Sequence, residues 1–145
     1  MSYKNILVAI DLSKESRQII SKAKETAEVY GAKLHLISAI EPLLQVHGDA
    51  LSTYGAYRAI DKDAKKEAKE RLLAITEDLG IPSKNCFAPI GNPANEIRER
   101  AFKLKSDLII MGTHGRKGIK KLILGSTANS VLNGTKVDVQ VIRII

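Results

Sequence analysis

"SDLIIMGTHGRKGIKKLILGSTANSVL", residues 106–132, runs from branched apolar residues through a glycine-rich cationic segment into a Gly-Ser-Thr that opens a helical pattern. Strand, loop and helix in that order make half of a crossover, the connection that parallel strands require. Glycines stand at 112, 115, 118 and 125, with Arg116, Lys117, Lys120 and Lys121 among them. A dinucleotide fingerprint would need Gly-x-Gly-x-x-Gly after the first strand, and a P-loop would need Gly-Lys-Ser or Gly-Lys-Thr. The chain has neither.

Upstream, "NILVAID", residues 5–11, is an apolar run closed by an acid, as in a strand buried on both faces. Ser13 is the predicted N-cap of a first helix with Glu15 in its first turn. Ile19, Ile20, Ala23, Ala27 and Tyr30 form its apolar stripe, and Gly31 stops it. "KLHLISAI", residues 33–40, reads as a second strand ended by Pro42. A segment of about fifteen residues follows, long for a compact domain. The second helix carries Ile60, Ala64, Ala68, Leu72, Ile75 and Leu79 on one face and stops at Gly80. "NCFAPI", residues 85–90, is a third strand, and Asn92 with Pro93 caps a helix buried through Ala94, Ile97, Ala101 and Leu104. Beyond the glycine segment, "STANSVLNG" is a short helix ended by Gly134, and "VDVQVIRII", residues 137–145, is a last strand with strict alternation.

This order predicts one α/β domain over residues 1–145: a single open, twisted, parallel five-stranded sheet with four helices on both faces. Ligands in such sheets bind beyond the carboxyl ends of the strands, where the winding reverses. Asp11, Ile40, Gly91 and Gly112 fall at predicted strand ends and are candidates for one site.

Composition narrows the function. The chain has 145 residues, 44% of them hydrophobic, enough for the core of one domain. The single cysteine, Cys86, forms no internal disulfide, and no apolar stretch approaches the roughly 20 residues that span a bilayer. With no secretory leader visible, we expect a cytoplasmic protein without membrane insertion. The net charge of +7 invites a nucleic-acid partner. However, "DKDAKKEAKER", residues 61–71, mixes signs like a solvated helix face, so no specific nucleic-acid binding is expected. The compact cationic group at 116–121 is the better anion site.

Glycines 112 and 115 let the backbone turn and approach a ligand, and Gly125 puts Ser126 and Thr127 at a helix start whose N–H groups favour phosphate. Loop punctuation followed by a capped helix would share this pattern. Gly112-x2-Gly115-x9-Gly125-Ser126 resembles the nucleotide-binding motif of the universal stress protein family, which follows the fourth strand. The opening residues from Tyr3 to Pro42 resemble that family's first strand, helix and second strand, so the likeness covers the whole chain.

The resemblance implies a Rossmann-like sheet holding ATP, with or without Mg2+, at its carboxyl edge. By position it puts Asp11 beside the adenosine together with Ala9, Ile10 and Ser13. Ile40 would offer backbone groups to the adenine edge, with Ala39 beside it and Met111 packing near the base. Gly112, His114, Gly115 and Arg116 would line ribose and phosphates, and Gly125, Ser126 and Thr127 would supply helix-start donors. It also implies a homodimer through the fifth strand. Two departures stand out: Leu12 where the family often has glycine, and no proline before the last strand.

Phosphoryl transfer needs a metal-holding acid, a positioned nucleophile and charge stabilisation together, and only the last is evident. An ATP-binding stress or signalling module with slow or no hydrolysis, and an unidentified regulatory protein partner, is therefore expected. The alternatives are a weak ATPase, a phosphate or adenylyl transferase, or a stress protein with a vestigial motif. His114 is expected to bind rather than catalyse. His35, His47 and Cys86 lack metal-ligand spacing, and Cys86 reads as core.

Overall fold

A computed structural model of the chain describes residues 2–42, 54–113 and 124–144. The elements are β1 (Asn5–Ala9), α1 (Ser16–Tyr30), β2 (Lys33–Ile37), α2 (Tyr54–Asp78), β3 (Cys86–Phe87), α3 (Pro93–Lys103), β4 (Leu108–Gly112), α4 (Ser126–Gly134) and β5 (Asp138–Ile142). All strand pairs are parallel, in the order β3-β2-β1-β4-β5. The winding therefore reverses between β1 and β4.

Period-two alternation within the central strands builds two cores. Ile6, Val8 and Ile10, with Leu108 and Ile110, pack beneath α1 and α2 through Ile19, Ile20, Ala23, Ala68 and Leu72. Leu7, Ala9, Ile109 and Met111 point the other way, against Ala94, Ile97 and Ala101 of α3 and Ala128 and Val131 of α4. Burial on both faces explains the continuous apolar runs of β1 and β4. Cys86, 2% exposed, lies in the first core as expected.

Several helix ends follow the sequence reading. Gly31 and Gly80 take left-handed φ of +65° and +72° after α1 and α2, where a side chain would be strained. Asn92 caps α3 by accepting the Asn95 N–H at 3.0 Å, with Pro93 in the first turn.

Other expectations are corrected. Ser13 is not the N-cap of α1; that position belongs to Glu15, with no side-chain cap bond. Ser13 is instead held in a turn in which Asp11 Oδ1 accepts its N–H at 3.0 Å, which delays the helix to Ser16. Tyr30 and Ile60 are surface residues rather than core ones. Strands two and three stop early, and their ladder resumes only as a bridge between Ile40 and Ile90. Pro89, lacking an N–H, cannot donate back to β2 at the gap. The last strand spans Asp138–Ile142 rather than 137–145, because β4 ends at Gly112 and the Ile144 N–H beyond it goes to the Thr113 hydroxyl instead of a backbone ladder.

Candidate functional site

The carboxyl ends of β1, β2 and β4 are in register, with Ala9 opposite both Ile37 and Met111. Two residues further on come Asp11, Ala39 and Thr113, so three strand exits meet at the winding reversal. Asp11 is half-buried, and its Oδ1 also accepts the Ser16 hydroxyl at 3.4 Å. Its carboxylate is thereby oriented by the turn that opens α1.

Leu12 takes φ +62°, in the left-handed region, and the residue is 4% exposed. The side chain that stands where the family often has glycine is thus folded into the core rather than over the edge. Arg71 Nη2 of α2 donates to the Leu12 carbonyl at 2.9 Å.

At β2, the Ile40 N–H donates to the Pro89 carbonyl and the Ile40 carbonyl accepts the Gly91 N–H, both at 2.8 Å. Ile40 can therefore offer a base only its carbonyl's second lone pair. Ala39 is half-buried beside it. Ala9, Ile10 and Met111 are core side chains beneath the edge, and Ser13 is half-buried in the turn above it.

Beyond β4, the glycine segment is pinned at its base. The Gly125 N–H donates to the Thr113 carbonyl at 2.6 Å, so residues 113 and 125 meet although twelve positions separate them in sequence. Gly125 then starts α4 with no side-chain cap, and the Asn129 N–H is bonded to its carbonyl at 2.9 Å. The amides of Ser126, Thr127 and Ala128 precede that first helical bond and have no intrahelical acceptor. Ser126 is exposed and Thr127 half-buried. Gly112 answers a packing demand: a Cβ there would lie 2.6 Å from Ile144 Cδ1 and 2.8 Å from Ile19 Cδ1. His114, Gly115 and Arg116, with Lys117, Gly118, Lys120 and Lys121, lie outside the described residues, as does His47.

Two residues of this edge had no role in the sequence reading. Thr113 was hidden among glycines, and its signal was a hydroxyl at a strand exit. Arg71 belonged to the charged run read as solvated, yet both it and Lys69, which donates to the Cys86 carbonyl, hold backbone oxygens. Away from the edge, burial, helped by Lys33, lowers the His35 pKa from its ordinary value, and burial raises that of Cys86. Among the described residues no three His, Cys, Asp or Glu side chains gather as a metal site, and no helix is long and apolar enough to cross a membrane. A concave surface of about 690 Å3 lies at the opposite end of the sheet, lined by Tyr3, Tyr30 and Asp138.

The universal stress protein family model matches residues 2–143. Universal stress protein A homolog 2 of Coxiella burnetii is 42% identical over 146 residues, spanning 99% of this chain and 97% of its own. Among solved structures, the hypothetical protein MJ0577 is similar with a TM-score of 0.83 at 22% identity, covering 100% of this chain and 99% of that one. A universal stress protein in complex with cAMP is similar with a TM-score of 0.60 at 24% identity, covering 99% and 98%. At these identities the two structures speak to the fold.

Proposed function

The chain belongs to the universal stress protein family, and on that premise we propose that it is an ATP-binding stress-response or signalling module with slow or no hydrolysis. The observation that carries this is the Thr113–Gly125 bond, which draws the end of β4 and the start of α4 together at the winding reversal. Three amides and the positive end of a helix dipole then face the place where phosphates would lie. The carboxylate of Asp11 suits ribose hydroxyls, and the Ile40 carbonyl suits the amino group of adenine. A structural relative crystallised with cAMP lends adenine nucleotides further support. Phosphate oxygens and retained waters would supply the ligands of any bound Mg2+. The cytoplasm, a homodimer paired through β5 and a regulatory protein partner complete the proposal.

A vestigial motif is the second reading, favoured by one observation: the Ile40 N–H is already committed to Pro89. Calorimetric titration with ATP and with a non-hydrolysable analogue separates the two. Saturable binding is expected, weakened at least about tenfold, or about 1.4 kcal/mol, by Gly115→Val. No binding by the folded wild-type protein would leave the vestigial motif standing, and turnover at a common enzymatic rate of about 10 per second would make it an enzyme instead.

A further inference from the structure

We propose that Arg71 is a positioning residue for the nucleotide site: by holding the Leu12 carbonyl it keeps a strained turn in place and so aims the Asp11 carboxylate. This rests on the nucleotide-binding role proposed above.

Leu12, at φ +62°, occupies a region that glycine enters freely and a leucine does not. Such a residue persists only where its surroundings over-determine it. Three restraints converge on it. Its side chain is anchored in the core beside α1. Its carbonyl takes the Arg71 guanidinium at 2.9 Å, a charge-assisted bond reaching across 59 positions of sequence. On either side of it, the Asp11 carboxylate accepts the Ser13 N–H and closes the turn. Removing the guanidinium leaves the Leu12 peptide free to rotate toward an ordinary conformation. Because the Leu12 carbonyl and the Ser13 N–H belong to one peptide unit, that rotation draws the N–H away from Asp11 Oδ1 and releases the carboxylate. The phosphate end of the site, built on Thr113 and α4, has no part in this linkage.

The test is Arg71→Met, which keeps an apolar stem on an exposed helix position and removes the donors. ATP and adenosine are titrated into wild type and variant at low and high salt. Positioning predicts that both ligands weaken by the same factor, about threefold or more, at either salt, with Tm lowered by no more than a few degrees. Arg71→Lys, retaining one donor, recovers part of the loss. Glycine at position 12 needs no restraint, so in a Leu12→Gly background Arg71→Met has little further effect. That variant also removes a buried side chain, so its fold is checked by circular dichroism, and the single Arg71 variants decide without it. A loss confined to ATP and abolished by salt would make Arg71 a direct phosphate contact and overturn the proposal. Unchanged affinities beside normal wild-type binding would overturn it alone. A wild type that binds neither ligand overturns the nucleotide role and this one together.

Discussion

The carbonyl of Thr113 accepts the N–H of Gly125 at 2.6 Å, while the same threonine gives its own N–H to the Ile142 carbonyl at 3.0 Å. Its hydroxyl accepts the Ile144 N–H at 3.2 Å. One residue thus ties the base of the glycine segment, the start of α4 and the end of β5. Ile144 closes the group by packing on the bare Cα of Gly112.

Gly125 has φ −60°, close to the value proline enforces, but in Gly125→Pro the ring Cδ takes the place of the amide hydrogen and meets the Thr113 carbonyl. Loss of the bond costs about 1 kcal/mol and displacement of the Thr113 carbonyl adds to it, more than restriction of the unfolded chain returns where the replaced N–H was hydrogen-bonded. The urea midpoint should therefore fall, and ATP binding by the folded variant weakens because α4 is no longer held to β4. Gly125→Ala keeps the N–H and serves as the control. Equal binding losses in both variants would show that this glycine serves close approach of the ligand rather than the bond.

Much of the fold was legible because its determinants are local. Glycines at 31 and 80 and the Asn92-Pro93 pair act within one helical turn, and two-sided burial of β1 and β4 leaves unbroken apolar runs. What escaped depends on distant partners. Arg71 looks like any cation of a mixed-charge helix until Leu12, far off in sequence, is placed against it. Ser13 resembles a cap until Asp11 captures its N–H. The glycine spacing draws the eye to positions 112 and 125, but not to the Thr113 carbonyl that receives the Gly125 N–H.

His35 gives the fold a pH dependence of definite sign. Burial, then Lys33, makes its charged form less favourable in the native chain than in the unfolded one, while the Ile6 backbone opposes them weakly. As pH falls through about 6.5, the unfolded chain takes up a proton that the native chain resists. Its contribution to stability is full above that value and is lost progressively on acidification. His35→Gln should flatten the change in urea midpoint between about pH 7.5 and about pH 5.5, the interval in which histidine is the side chain that ordinarily titrates. Identical slopes in both proteins would refute this assignment.

β5 is an edge strand, paired to β4 alone among the described strands, and its outward backbone groups can pair with a second copy under a twofold axis. The register decides which groups those are. The Ile142 carbonyl accepts the Thr113 N–H, so Ile142 directs its backbone toward β4. Backbone direction alternates along a strand, so Gln140 and Asp138 also face β4, whereas Val139 and Val141 face outward. Val141→Pro therefore removes a donor that β4 does not use, a substitution edge strands tolerate. Gln140→Pro breaks the ladder itself and should destabilise the fold. Sedimentation of the wild type is expected to give twice the 15.9 kDa chain mass, and Val141→Pro a folded monomer. Val141→Ala, which retains the N–H, should remain a dimer. A wild type monomeric through the micromolar range would end the dimer proposal, and a Val141→Pro protein still dimeric would move the interface off this strand.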